Sequence, residues 1–535
     1  MLDFDPLHSP YASRRNVVYS QRGMVATSQP QAAQAGLHIL QAGGNAIDAA
    51  IATATALTVV EPTANGIGGD AFALIWSQGK LHGLNASGPA PQAMTLDRMT
   101  ALGHSEVPKY GPLPVTVPGT PAAWAAMAQR FGRLPLTHSM AAAIELARHG
   151  FPVSPSVAFA WQQATNTFRQ QFKDDYFKHW FDTFAPERAP RAGELWRALG
   201  HADTLQSIAE TSGESFYRGP LAERISRFVQ SAGGTLTELD LADFQVDWCT
   251  PISVNYRGYD VWEIPPNGHG LVTLMALQLL KGFEFSERDT PYTYHRQIEA
   301  IKLAFADGFA HIADPAHMRV RVEDLLTDAY ADERRSLIGE RAALPLAGEP
   351  PRGGTVYLAT ADSEGNMVSF IQSNYMGFGS GLVVPGTGIA LHNRGNNFKL
   401  LKGHPNCLAP GKRPYHTIIP GFMTQGGQAV GPFGVMGGFM QPQGHVQMVK
   451  NTVDFGLNPQ AALDAPRWEW EAGKRVQMEH STASHLFNSL AGLGHEVAWQ
   501  ANRMAFGRGQ IIWRDAAGVL CGGTESRTDG SIAAW

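Results

Sequence analysis

A threonine that follows a Pro- and Gly-rich loop is the residue of this chain that most clearly suggests chemistry. Thr355 comes directly after residues 341–354 and begins a β-branched, alternating stretch that predicts a strand over 356–362. A threonine hydroxyl is a weak nucleophile unless a base lies beside it. If Thr355 attacked the Gly354 carbonyl and water released the resulting ester, the new α-amine of Thr355, with an ordinary pKa of about 7.7–8, would be that base. The alternative is a threonine that only opens a strand.

Acyl transfer also needs donors for the oxyanion that develops in the transition state. Backbone N–H groups of a glycine turn are a common source, and each contributes roughly a hundred- to a thousandfold in rate. Residues 434–438 contain Gly437 and Gly438 and are the candidate turn. The alternative is an ordinary β-turn.

Other motif searches argue against cofactor chemistry. Residues 66–71 match G-x-G-x-x-A, but that fingerprint must follow a strand and open a helix, whereas here a helical pattern precedes it and a strand pattern follows. The sequence contains no H-E-x-x-H, paired-cysteine or G-x-S-x-G motif. We therefore predict neither a metal nor another cofactor.

Several predicted elements would position these groups. Ser28 is a candidate N-cap for a helix ending near Leu40, and Asn45 with Asp48 predicts a second helix to Val60. Strand pairs are predicted over 71–76 with 81–85, and over 356–362 with 367–373, the latter joined by turn residues 363–366. A strand block at 252–264 precedes a long helix over 293–313.

Composition excludes several classes of protein. The 535 residues are 44% hydrophobic and 17% charged, which predicts a globular protein with a large core. The net charge of −5 gives no basic excess for nucleic-acid binding, so we expect a small-molecule partner. Three scattered cysteines, no apolar run of 18 residues and no export signal in residues 1–15 predict a cytoplasmic, non-membrane protein.

Taken together, the motifs resemble those of the γ-glutamyltranspeptidase family, in the family's order and over residues 23–467. They are the segments 42–50, 66–70, 355–366, 379–381 and 410–414, with 256–259 and 314–315 between them. The resemblance implies an N-terminal nucleophile hydrolase of the α+β class, folded as a four-layer αββα sandwich. It also implies self-cleavage into a large subunit, 1–354, and a small subunit, 355–535, that share one interwoven domain.

The resemblance further implies roles for single residues. Thr355 matches the nucleophile, with cleavage after Gly354, and Ser373 holds the place of a second threonine that orients it. Gly437 and Gly438 match the glycines that bind the oxyanion.

The substrate-binding positions depart from the family pattern. Ser87 stands where transpeptidases have the arginine for the α-carboxylate, and His416 and Thr417 stand where they have two serines. Tyr375, Arg394 and Asn397 replace the asparagine, the Glu or Gln and the aspartate that bind the α-amino group. An arginine without a carboxylate would repel an ammonium group and bind a carboxylate, so we expect glutathione to be a poor substrate. The alternative is that Arg394 pairs with a structural acid outside the pocket.

These departures favour hydrolysis of a small, carboxylate-bearing amide of the oxamate type. Only 11 residues separate Phe398 from Pro410, where transpeptidases often carry a longer lid, which also favours hydrolysis over transfer. Alternatives are a γ-glutamyltransferase or glutathione hydrolase, a cephalosporin (glutaryl) acylase, a scaffold that only binds a ligand, and a dinucleotide enzyme. The expected partners are the substrate and the cleaved subunit, with pairing of the heterodimers as a further option.

Overall fold

The computed structural model describes residues 15–345 and 354–535. In these ranges the strands are β1 (Val18–Ser20), β2 (Gly23–Thr27), β3 (Asp70–Ser77), β4 (Lys80–Ala86), β5 (Phe151–Pro152), β6 (Leu195–Trp196), β7 (Asp247–Cys249), β8 (Ile252–Tyr256), β9 (Tyr259–Glu263), β10 (Gly354–Asp362), β11 (Met367–Tyr375), β12 (Gly421–Gln425), β13 (Gln428–Met436), β14 (Trp468–Ala472), β15 (Arg475–Glu479), β16 (Glu496–Gln500), β17 (Arg508–Arg514), β18 (Leu520–Thr524) and β19 (Ser531–Ala534).

The helices of the same ranges are α1 (Pro30–Gln41), α2 (Ala46–Val60), α3 (Leu96–Ala101), α4 (Thr120–Phe131), α5 (Leu136–Ser139), α6 (Ala141–His149), α7 (Pro155–Gln171), α8 (Lys178–Phe184), α9 (Leu199–Thr211), α10 (Glu214–Tyr217), α11 (Pro220–Ser231), α12 (Glu238–Ala242), α13 (Gly270–Leu280), α14 (Pro291–His311), α15 (Val322–Leu325), α16 (Asp328–Arg335), α17 (Met440–Val453), α18 (Pro459–Asp464) and α19 (Ser484–Gly492). Short 3₁₀ turns include one at Arg394–Asn397.

Two antiparallel seven-stranded sheets form the centre of the molecule. The first has the strand order β1-β18-β17-β13-β12-β9-β8, and the second has the order β19-β2-β10-β11-β3-β4-β7. They pack face to face, with β10 and β11 of the second sheet against β13 and β17 of the first. Helices α1 and α2 cover the second sheet, and α13 and α17 cover the first. This confirms the predicted four-layer αββα architecture.

Both sheets combine strands from the two sides of residue 354. In the second sheet, β10 lies between β2 and β11, and β11 pairs with β3. The first sheet likewise combines β1, β8 and β9 with β12, β13, β17 and β18. The two stretches that cleavage would separate are therefore interwoven strand by strand.

Most of the predicted elements are present, and one predicted cap is wrong. Asn45 and Asp48 form the expected capping box at the start of α2, with Asn45 Oδ1 accepting from Asp48 N at 3.0 Å. Helix α1 instead begins after Gln29 without a side-chain cap. The Ser28 hydroxyl donates to the Glu61 carboxylate, because that buried acid lies at the end of the neighbouring helix.

In the described part of the chain, no helix is both long enough and apolar enough to cross a membrane.

Candidate active site

Thr355 lies at the buried start of a central strand. A register shift between Gly354 and Val356 interrupts the pairing of β10 with β11 at this residue. The Thr355 hydroxyl donates to Ser373 Oγ at 3.2 Å, and Ser373 Oγ also accepts from Tyr375 N at 2.7 Å. Ser373 is thus held by its own backbone turn and accepts a hydrogen bond from the Thr355 hydroxyl. The structure places the two predicted hydroxyls in contact.

A residue that the sequence analysis missed, Gln441, also contacts the Thr355 hydroxyl. Gln441 lies in the first turn of α17, and its Nε2 donates to Thr355 Oγ1 at 3.4 Å. Its Oε1 accepts from Ile419 N at 2.9 Å, which fixes the orientation of the amide. The NH₂ end must therefore face Thr355. The only local signal for this residue is its position three residues after the glycine pair.

The predicted glycine turn joins β13 to α17. Gly437 and Gly438 have φ values of 135° and 62°, backbone conformations that favour glycine. Met440 N donates to the Gly437 carbonyl at 3.1 Å, so the turn leads directly into the helix N-terminus. N–H groups at a helix N-terminus are suited to bind an anion. Since Gln441 of the same helix turn touches Thr355, the turn lies beside the candidate nucleophile.

Arg394 is completely buried and only partly satisfied by the residues around it. Its Nη1 donates to Thr417 Oγ1 at 2.7 Å, and its guanidinium lies over the Tyr375 ring at 4.4 Å. Its Nε and Nη2 have no hydrogen-bond partner among residues 15–345 and 354–535. Burial lowers the pKa of Arg394 to about 10, so the side chain is cationic at neutral pH. A buried cation with two unused donors is suited to bind a carboxylate.

The prediction that this pocket lacks a carboxylate is wrong, because Asp70 lies beside Arg394. Asp70 Oδ2 is 2.9 Å from His416 Nε2, 3.6 Å from His392 Nδ1 and 3.8 Å from Arg394 Nε, and its Oδ1 accepts from Gly88 N at 3.3 Å. Burial raises the pKa of Asp70 to about 7, against the opposing effect of Arg394. The sequence analysis used Asp70 only as the end of a family motif.

Four of the remaining predicted pocket residues lie close to Arg394. Tyr375, His416 and Thr417 surround Arg394 and Asp70, as described above. Asn397 ends the 3₁₀ turn that Arg394 begins, and its Nδ2 likewise lacks a partner in the described ranges, as does the Tyr375 hydroxyl.

Ser87 has a different role in the structure. Its hydroxyl donates to Asn85 Oδ1 at 2.7 Å and accepts from Asn267 Nδ2 at 3.1 Å. The side chain is therefore engaged in an amide network rather than with the guanidinium. Its neighbour Gly88, whose N–H contacts Asp70, links this network to the pocket.

Strand register brings the nucleophile and the arginine pocket together. Ser373 of β11 lies opposite Asp70 of β3, and Tyr375 lies opposite Gly354 of β10. The partner of the Thr355 hydroxyl and the counter-ion of Arg394 therefore occupy adjacent strands. The site combines a threonine hydroxyl, a glycine turn at a helix N-terminus and a buried cation, which is a set suited to acyl transfer from an anionic substrate.

Comparison with known proteins agrees with this set of residues. A family model described as gamma-glutamyltranspeptidase matches residues 32–535. The chain belongs to the γ-glutamyltranspeptidase family. It is accordingly a self-processing amidohydrolase of that family.

Individual relatives carry different activities in their names. The chain is 35% identical to the glutathione hydrolase-like YwrD proenzyme of Bacillus subtilis, over 96% of this chain and 98% of that protein. It is also 35% identical to the oxamate amidohydrolase proenzyme of Klebsiella pneumoniae, over 96% and 99%. A solved structure of a cephalosporin acylase from Bacillus halodurans is 62% identical, with a TM-score of 0.96 and 99% of each chain covered.

One cluster in the described part of the chain has the residue types of a metal site, but a lysine ammonium group already binds its carboxylate. His295, Glu299 and His495 bring their ligand atoms within 4.8 Å of one another. The Lys302 ammonium, however, donates to Glu299 Oε1 at 2.6 Å, and His295 Nδ1 and His495 Nε2 share a hydrogen bond of 2.8 Å. We assign no metal there.

Proposed function

We propose that Thr355 is the nucleophile of an N-terminal threonine amidohydrolase that acts on small amides whose acyl group carries a carboxylate. The supporting observation is Arg394, a buried cation with unused donors that packs on Tyr375, two residues from the hydroxyl that orients Thr355. The proposed acyl donor is of the oxamate type.

Self-cleavage comes first in this mechanism. Thr355 Oγ1 attacks the carbonyl carbon of Gly354, the C–N bond breaks, and the released nitrogen takes up the hydroxyl proton to become the amine of Thr355. Water then hydrolyses the ester and restores the hydroxyl. Ser373 and Gln441 orient Oγ1 throughout, because both contact it.

Each catalytic cycle uses the new α-amine as the base. The amine takes the Thr355 hydroxyl proton while Oγ1 attacks the substrate amide carbon, and the N–H groups of Gly437 and Gly438 stabilise the oxyanion. The leaving amine or ammonia takes the proton, and water hydrolyses the acyl ester. The products are a carboxylic acid and the amine, or ammonia from a primary amide.

The unpartnered donors of the pocket support a carboxylate and disfavour an α-ammonium group. Both Asp70 oxygens already accept hydrogen bonds. Oδ1 accepts from Gly88 N, and Oδ2 accepts from His416 Nε2. Unpartnered donors around Arg394 in the described ranges include its own Nε and Nη2, the Tyr375 hydroxyl and Asn397 Nδ2. A γ-glutamyl group would bring a second cation beside Arg394, so glutathione is expected to be a poor substrate.

A glutaryl-type acylase is the second candidate. The observation that favours it is the 62% identity, over nearly the whole chain, to the solved structure of a cephalosporin acylase. Both candidates require a carboxylate on the acyl side, and they differ in the length of the acyl group.

Three 4-nitroanilides with one leaving group test the proposal. Glutaryl and γ-glutamyl anilides differ only in the α-ammonium group, and the butyryl anilide lacks the carboxylate. We expect kcat/KM for the glutaryl anilide, or ammonia release from oxamate, to exceed that for the γ-glutamyl anilide by about a hundredfold, with little turnover of the butyryl anilide. Faster γ-glutamyl cleavage would overturn the assignment of substrate class.

A further inference from the structure

Above about pH 7, the pKa of Asp70, the buried pocket around Arg394 contains one positive and one negative charge. Arg394 and Asp70 have no exposed surface, and the same holds for His392 and His416. Burial lowers the pKa of His392 to about 3 and that of His416 well below its ordinary value, so both imidazoles are neutral. The pocket is thus balanced before any substrate binds.

The hydrogen bonds define where the protons of the two imidazoles lie. His416 Nδ1 accepts from Ile418 N at 3.4 Å, so its Nε2 carries the proton and donates to Asp70 Oδ2. His392 Nε2 lies 3.1 Å from the Thr116 carbonyl and donates to it. His392 Nδ1 accepts from Arg394 N at 3.3 Å. Each imidazole therefore has both nitrogens in hydrogen bonds, and Asp70 Oδ2 lies 3.6 Å from His392 Nδ1.

A substrate carboxylate would upset this balance. A second anion beside Arg394 leaves one negative charge uncompensated in a site without exposure to solvent, which is strongly unfavourable. Two carboxylates that share a buried site cannot both remain ionised near neutral pH, and one of them takes a proton. Asp70 is the group that takes this proton, because it lies 3.8 Å from Arg394 Nε and both neighbouring imidazoles already use their two nitrogens.

We infer that binding of a carboxylate at Arg394 is coupled to uptake of one proton by the Asp70 carboxylate. This inference rests on the proposed function, because it takes Arg394 as the carboxylate-binding group. It makes Asp70 a specificity-determining residue: the pocket accepts an anion together with a proton, and the pair is neutral.

The other charged and titratable groups near Asp70 do not provide an alternative site for the proton. Arg394 and Arg413 are cations, and Tyr217 and Tyr375 are protonated phenols whose pKa burial raises. His269, which also lies near Arg394, has its pKa lowered well below the ordinary value by burial. His392 and His416 already use both nitrogens.

The coupling predicts a pH dependence of a definite sign. The pKa of Asp70, about 7 in the free pocket, rises when an anion binds. Above that pH, the Kd of a carboxylate should increase about tenfold per pH unit, whereas the Kd of a neutral ligand of the same shape should stay constant. Below that pH, Asp70 is already protonated, so the Kd values of both ligands should be independent of pH.

Titration calorimetry of the mature enzyme measures the proton directly. Butyrate and acetate are monoanions that are not cleaved, and 2-pentanone is a neutral ligand shaped like butyrate. Measurements at pH 8 in phosphate and in Tris, whose ionisation enthalpies differ, give the number of protons taken up per ligand. We expect about one proton for the bound carboxylates and none for 2-pentanone.

The Asp70→Asn variant tests whether Asp70 is the group that takes up the proton. In that variant we expect the uptake to disappear and the Kd of butyrate to become independent of pH and at least tenfold lower at pH 8. Binding by the wild type without proton uptake, or undiminished uptake in Asp70→Asn, would overturn the coupling and leave the proposed function intact. If neither carboxylate binds the wild type, both the coupling and the carboxylate-binding role of Arg394 are overturned. The wild-type measurement decides the question even if the variant does not fold.

Discussion

Arg394 is the residue that determines the proposed substrate class, and its replacement tests that role. Arg394→Lys keeps the charge but loses the planar fork that contacts Thr417 and, in the proposed function, binds the substrate carboxylate. We expect kcat/KM for carboxylate-bearing amides to fall about 10- to 100-fold, as for loss of a charge-assisted hydrogen bond, with self-cleavage unchanged. Arg133→Lys, at an exposed ion pair with Glu364, is the control. Unchanged kinetics in Arg394→Lys would remove it from the site.

Gln441 is expected to orient the nucleophile. Gln441→Ala removes the donor to Thr355 Oγ1, and we expect kcat to fall about tenfold or more and self-cleavage to slow, with KM nearly unchanged. Gln443→Ala is the matched control, because this buried glutamine of the same helix bonds the Trp470 carbonyl instead. Rates of self-cleavage and kcat in both variants are the measurements, and equal losses in the two would indicate a purely structural role.

Sequence reasoning found the residues whose signal is local and missed those whose role depends on distant contacts. Thr355 and Ser373 belong to one hairpin, so pattern and family motif sufficed. Asp70 meets His416 across 346 positions, and Gln441 meets Thr355 across 86. Neither pairing leaves a periodicity or a spacing that can be read along the chain.

At the scale of elements, Gly69 allows β3 and β11 to approach beside the nucleophile. A Cβ at Gly69 would lie 2.6 Å from the Ser373 carbonyl oxygen and 2.8 Å from Asn374 Oδ1. We expect Gly69→Ala to displace Ser373 and to slow self-cleavage strongly, at a cost of about 1–3 kcal/mol in stability. Gly492→Ala at the exposed end of α19 is the control, since its Cβ meets nothing within 4 Å and its φ is not positive. Similar cleavage rates in the two variants would contradict this account.

The elements differed in how well the sequence predicted them. The hairpin of β10 and β11 and the start of α2 were correct, because alternation and the Asn45 capping box are local signals. The Ser28 cap was wrong because Glu61, on the next helix, competes for its hydroxyl. Sheet order could not be predicted, since β10 pairs with β2 across more than three hundred residues.

At the scale of the whole molecule, the two proposed subunits should remain together after cleavage. Strands β10 and β11 lie in the middle of a sheet whose neighbouring strands β2 and β3 come from the other subunit. Separation would break two central strand pairings and expose the sandwich core. We expect one species on size exclusion and one cooperative unfolding transition, but two chains in denaturing gels. Subunits that separate without denaturant would contradict the interwoven arrangement.

Intact mass of the purified wild type beside Thr355→Ala tests the central claim most directly. The wild type should give two chains, residues 1–354 and 355–535, while Thr355→Ala, shown to be folded by circular dichroism, should remain one chain. Cleavage at another bond, or cleavage of both proteins between residues 354 and 355, would contradict the assignment of Thr355. A folded wild type that stays intact would contradict it as well.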